Sequence, residues 1–261
     1  MTLLFFVICL FASTLGAICG IGGGVIIKPV LDATGTMSVS AISFLSGCTV
    51  LAMTTYSVGR DRISGRSQVK LDLCLPLAIG AAMGGVAGKK LFSFLIGQLP
   101  SQDNVGLIQA VCLLLITVGT FFYTLFKDRI LTKKTENTIV GLLIGLLLGI
   151  MSSFLGIGGG PINLVVLYFF YSMTTKEAAS YSLYIIFFSQ LLSLVISLLE
   201  GSVPEVSMYI LLVMIIGGIA GGIAGRLINR KIDEKVVSRL FLAAMAIIIC
   251  INIYNIVRFR P

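Results

Sequence analysis

Apolar runs fill most of the chain, and polar positions fall in short clusters between them. Runs at about 39–58, 105–126, 177–199 and 236–257 each suffice for a helix crossing about 30 Å of hydrocarbon, which takes roughly 20 residues. Two other runs, 3–18 and 139–155, end in the same pentapeptide. These are Gly20-Ile-Gly-Gly-Gly24 and Gly156-Ile-Gly-Gly-Gly160, and apolar sequence resumes at 25–31 and 161–170. Glycine is the poorest ordinary residue in a helix interior, and three adjacent glycines point around a helix, not along one face. Unwound backbone at membrane depth is tolerated only where protein or a water-filled cavity satisfies its amides. The pattern therefore predicts two broken segments: one helix in, a turn at the glycines, and a short helix back. Matched breaks in two halves are the sequence mark of a secondary transporter's binding site.

The two halves correspond well beyond the breaks. Met37 and Met173 keep the 136-residue offset of the pentapeptides. After one added residue, Gly80-x3-Gly84-Gly85-x2-Gly88-Lys89 matches Gly217-x3-Gly221-Gly222-x2-Gly225-Arg226. Their four-residue spacing is a helix face, and close helix packing is its expected role. Charge then separates the copies. The loops with Arg60, Arg62, Arg66 and Lys70, and with Lys127, Arg129, Lys133 and Lys134, read as cytoplasmic. The counterpart of the first, 200–205, carries two acids and no base, while the counterpart of the acidic loop 97–104 is the basic stretch 226–239. Equivalent loops thus fall on opposite sides, which makes the repeats inverted. The expected fold is an all-α polytopic membrane protein of two inverted-topology repeats, residues 1–130 and 131–261. Each repeat is a glycine-broken hairpin plus three spanning helices, eight to ten helices in all, with no soluble domain. Both termini fall outside in this scheme, against which Arg258, Arg260, Lys89 and Lys90 stand as misfits.

Composition agrees. With 57% apolar residues, 11% charged residues and a mean hydropathy of +1.06, an ordinary soluble domain is excluded. The excess of 19 Lys+Arg over 11 Asp+Glu sits mainly in loops, and reflects topology and anionic lipid, not nucleic acid. The N-terminal run lacks a basic region before it and recurs in the second half, so it is read as part of the mature protein. The six cysteines form no CxxC pair and histidine is absent, so neither a metal site nor a cofactor is expected; the cysteines read as packing residues. No phosphate-binding P-loop is present, so the chain does not read as an ATP-driven pump or an enzyme.

A turn of this kind places the start of the returning helix inside the membrane, where its free amides and dipole attract an anion. Pro161 directly after Gly160 suits the first helical position, and Pro29 is placed near the first turn of the other return. Two such starts would converge near the midplane on a backbone-lined pocket. The expected substrate-binding residues are Gly22, Gly23, Gly24, Gly158, Gly159, Gly160, Pro161 and Asn163, with the serines Ser46, Ser182 and Ser153. Ser46 and Ser182 are repeat equivalents. Ser152, Gln190, Gln109, Asn252 and Tyr181 are weaker candidates, and Lys28 either lends charge to the pocket or reaches an interface. Asp32, Asp72 and Glu200 read as terminal, so no proton relay is visible and the coupling ion, proton or sodium, stays unnamed.

The two GIGGG breaks, the stretch Lys176-Glu177-Ala178-Ala179-x2-Ser182-Leu183 and the glycine-rich helix ending Gly225-Arg226 resemble the TauE/SafE family over essentially the whole chain. The first half departs from that pattern, with Ser40-Ala41-Ile42 where the second has Lys176-Glu177-Ala178. The resemblance implies a permease of the inner (cytoplasmic) membrane for sulfite, a sulfonate such as sulfoacetate, or a related sulfur or carboxylate anion. The reading is a secondary transporter working by alternating access, with a passive anion channel and a membrane sulfur-redox subunit as alternatives. Its partners are the small anion and the lipid bilayer, and a homo-oligomer stays open.

Overall fold

The computed structural model describes residues 2–63, 69–99, 102–135, 137–157 and 159–259. Gly158, Arg66 and Arg260, singled out above, lie outside the described residues. Ten α-helices follow one another, with no strand among the described residues: α1 (Thr2–Cys19), α2 (Gly24–Thr34), α3 (Val39–Ile63), α4 (Leu71–Gln98), α5 (Gln102–Phe126), α6 (Thr138–Phe154), α7 (Pro161–Tyr171), α8 (Thr175–Leu199), α9 (Met208–Asn229) and α10 (Glu234–Arg258). A single 3-10 turn at Lys127–Arg129 follows α5. Seven helices, α1, α3, α4, α5, α8, α9 and α10, are long and apolar enough to span a membrane. The protein is a multi-pass membrane protein.

Helix lengths run in a similar order in the two halves, 18, 11, 25, 28 and 25 residues for α1–α5 and 17, 11, 25, 22 and 25 for α6–α10, although α6 is not among the seven. Each glycine break separates a pair of helices, as expected. Pro161 is the first residue of α7, with Gly160 as its N-cap. Pro29 differs from expectation: α2 begins at Gly24, so Pro29 sits at its sixth position, in the helix interior. There its ring removes the donor that the Val25 carbonyl would take. The starts of α3 and α8 show why the two halves differ in sequence. Thr174 and Glu177 form a capping box, the Thr174 hydroxyl accepting from the Glu177 amide at 3.4 Å and the Glu177 carboxylate from the Thr174 amide at 2.9 Å. At the equivalent place Ser38 accepts from the Ala41 amide at 3.2 Å, with no acid partner.

The most extensive helix contacts run between the halves, α4 against α6 and α1 against α9. The glycine faces make them. A Cβ on Gly80, Gly84 or Gly88 would collide with the backbone of α6 at Leu142, Leu146 and Ile150. One on Gly217, Gly221 or Gly225 would press on the backbone of α1 at Phe6, Leu10 and Thr14. Those triplets are equivalent at the 136-residue offset, so both interfaces have the same register.

One end of the molecule gathers the basic loops. Arg226 pairs with Asp61, Arg62 stacks over the Tyr184 ring, and Lys127 donates to the Thr175 hydroxyl at 3.0 Å. The start of α3, the ends of α4 and α8, and the 202–204 loop lie together at the other end. Asp32, buried at the close of α2, lies with Asp103, Arg258 and the start of α3 on that same side.

Candidate functional site

Between α3, α4, α6 and α8 lies a cavity of about 100 Å³. Three helices present it a face at helical spacing. These are Ser40, Ser43 and Gly47 on α3, Lys89, Phe92, Ser93 and Ile96 on α4, and Gln190, Ser193 and Ser197 on α8. Ser153 and Gly156 come from the end of α6 and its glycine break, and Ser202 and Pro204 from the loop after α8 complete the rim. Gly47 lets α8 approach closely, since a Cβ there would stand 2.9 Å from the Gln190 side-chain oxygen. Gly156 has φ +64°, a left-handed backbone that glycine adopts without a Cβ penalty. A Cβ there would stand 2.5 Å from the Ser43 hydroxyl.

Among the described lining residues Lys89, half-buried, is the cation and none is a carboxylate. Glu200, the C-cap of α8, is the acid that acts on it electrostatically. The Ser43 and Ser153 hydroxyls are buried without a hydrogen-bond partner among the described residues. An unmet buried hydroxyl costs about 1–3 kcal/mol, so both call for an oxygen from solvent or substrate. An ammonium with several hydroxyls, an amide and a half-buried glycine turn suits a small oxyanion: charge comes from Lys89, and donors come from neutral groups.

The expected site residues are only partly gathered here. Ser153 lines the cavity, as does Gln190 among the weaker candidates. Gly159, Gly160, Pro161, Asn163 and Ser152 instead surround a separate space of about 10 Å³ at the start of α7, room for about one water. Asn163 donates to the Ser182 hydroxyl at 3.3 Å, and its own carbonyl oxygen has no partner among the described residues. The two breaks do meet. Gly24, the first residue of α2, abuts the Ile157 carbonyl of the second break and the buried Ser46 hydroxyl. Gly22 has φ +72°, Gly23 caps α2 against Ser13, and Gly159 faces Ile186. Gln109 donates to the Phe154 carbonyl at 2.6 Å, Asn252 to its own helix at 2.8 Å, and the Tyr181 hydroxyl accepts from the Lys70 amide at 2.8 Å.

Lys28 and Asp32 depart from what the sequence suggested. Both are buried and paired with each other at 2.6 Å, so Lys28 reaches no interface and Asp32 is enclosed by the fold. Lys89, a topological misfit by sequence and not among the expected site residues, is a site residue in the structure. Its signal was the repeat itself, because a cation follows the glycine face in both copies, as Lys89 and as Arg226.

No curated protein and no solved structure matches the chain. A family model, sulfite exporter TauE/SafE, matches residues 5–253. That span contains α2–α9, most of α1 and α10, both glycine breaks and the described lining of the Lys89 cavity, and the chain belongs to the TauE/SafE family of sulfite exporters.

Proposed function

We propose that this chain is a secondary transporter of the cytoplasmic membrane that moves a small sulfur oxyanion, sulfite or a sulfonate such as sulfoacetate, by alternating access. The observation that carries this reading is the Lys89 cavity, an ammonium among serine hydroxyls, two of them unpartnered, at the edge of the second glycine break. Lys89 neutralises the anion, and Ser43, Ser153 and Gln190 supply donors to its oxygens. Residues 1–130 and 131–261 form the two inverted repeats in this reading. Support comes from α3 and α8, which are repeat equivalents and run antiparallel: the start of α3 meets the end of α8 at the Lys89 cavity. The breaks around Gly22–Gly24 and Gly159–Asn163 form the constriction past which the anion moves as one set of helices rocks against the other.

Thermal stabilisation of purified protein by sulfite, sulfoacetate, taurine, sulfate, acetate and chloride tests the site. Sulfite or a sulfonate should stabilise the parent, and Lys89→Gln should weaken that response at least tenfold with an unchanged size-exclusion profile. An undiminished response in a folded Lys89→Gln protein rules the site out. Counterflow of labelled sulfite into liposomes preloaded with unlabelled sulfite separates a carrier from a passive channel, since only a carrier is accelerated from the opposite side. A variant with Cys9, Cys19, Cys48, Cys74, Cys112 and Cys250 replaced should transport as the parent does, which a sulfur-redox subunit would not.

A further inference from the structure

A second cavity, of about 90 Å³, lies at the basic end of the molecule, between the end of α3, the start of α8 and the end of α9. All ten of its described lining residues are repeat equivalents, at an offset of 136 or 137, of residues lining the Lys89 cavity. Arg226 stands for Lys89, Lys176 for Ser40 and Asp61 for Ser197. The neighbouring glycine corresponds too: Gly20, with φ +75°, lies against Ala179 as Gly156 lies against Ser43. Along α3, from Ser43 to Ser57, the two cavities are separated by roughly 20 Å of helix.

The replacements add charge of both signs. Where the first cavity has an ammonium, the second has a guanidinium, whose fork grips two oxygens at once. Where the first has the Ser197 hydroxyl, the second has a carboxylate. Arg226 pairs with the Asp61 carboxylate and donates to the Ser57 carbonyl at 2.9 Å, so oxygen acceptors already engage it. Arg230, on the same wall, also attracts Asp61 electrostatically.

We propose that the Arg226 cavity is a second oxyanion station on the same path, and that Asp61 is a tethered stand-in for the substrate. The Asp61 carboxylate holds Arg226 while the station is empty. An arriving oxyanion replaces it there, and Asp61 swings to Arg230. The exchange leaves no charge unpaired, because one anion replaces another on the guanidinium. This inference rests on reading the chain as an anion transporter.

Thiol labelling tests it without assuming a substrate. With Cys112 and Cys250 replaced by alanine, the native Cys48 reports the Lys89 cavity and a Ser180→Cys substitution reports the Arg226 cavity. A membrane-impermeant maleimide should reach them from opposite sides of oriented vesicles. Adding Asp61→Asn should raise the rate at Ser180→Cys about tenfold and leave Cys48 unchanged. Labelling of both from one side, or no change at Ser180→Cys, overturns the proposal. Sulfite counterflow supplies the second arm. Arg226→Gln should lower flux at least tenfold, Arg226→Lys should keep part of it, and Asp61→Asn/Arg226→Gln should stay as low as Arg226→Gln. Parental flux in that double variant would make the pair a structural tie only, and end the proposal. Failure of Lys89→Gln to weaken sulfite binding, with labelling as expected, strikes the first site and not the second.

Discussion

Lys28 and Asp32 lie one turn apart on α2, with side chains only 2% and 6% exposed, and their paired atoms are 2.6 Å apart. The Lys28 stem packs beside the second break, its Cε 3.3 Å from where a Cβ on Gly156 would stand, while its charge is met by Asp32. Arg258, a misfit by topology, is exposed and donates to the Asp32 main-chain carbonyl, which ties the end of α10 to α2. Removing one partner of a buried pair strands the other in a poor solvent, at a cost of about 3–5 kcal/mol, whereas replacing both by apolar residues is often neutral. Lys28→Met and Asp32→Asn should each lower the unfolding temperature in detergent by roughly 10 °C. Lys28→Met/Asp32→Leu should recover most of that. A double variant no better than either single would show that something other than the ion pair holds these residues.

Among the helices, the glycine faces of α4 and α9 let backbones touch where side chains would hold them apart. Such contact favours dispersion and weak Cα–H···O bonds, which matter where lipid offers no hydrophobic driving force. Gly84 lies against the Leu146 carbonyl, so Gly84→Leu must pry α4 from α6. Little folded protein should elute as a single size-exclusion peak. Gly119 on α5 has nothing within 4 Å of a built Cβ, and Gly119→Leu should elute as the parent does. Equal behaviour of the two would remove close approach as the reason for the glycine spacing. The spacing was legible in sequence because four-residue periodicity is local; which helix each face meets was not, because α6 and α1 belong to the opposite halves.

For the whole molecule, charge sorts the ends. The basic ends of α3 and α9 meet at one end, and the 202–204 loop lies at the other. Cytoplasmic loops carry the excess of Lys and Arg, so the Arg226 end should face the cytoplasm. Ser202→Cys and Lys231→Cys should therefore label from opposite sides, Lys231→Cys from within. Labelling of both from one face would dismantle the inverted arrangement.

The sequence by itself determined the helices, both breaks, the recurrence of the glycine motifs and the sorting of basic from acidic loops. Each of these is written in neighbouring residues: hydropathy over about 20 positions, glycine against helix propensity, and charge between spans. Tertiary structure alone decided which polar groups share a cavity. A serine in an apolar helix can bond back to its own turn, as Ser197 does to the Ser193 carbonyl at 2.7 Å, or be left to face a space, as Ser153 is. The residue type is the same in both cases. The packing of α3, α4, α6 and α8 made Lys89 the charge of one cavity, and that of α3 and α8 with α9 set Asp61 on Arg226 in the other, each set drawn from both halves of the chain.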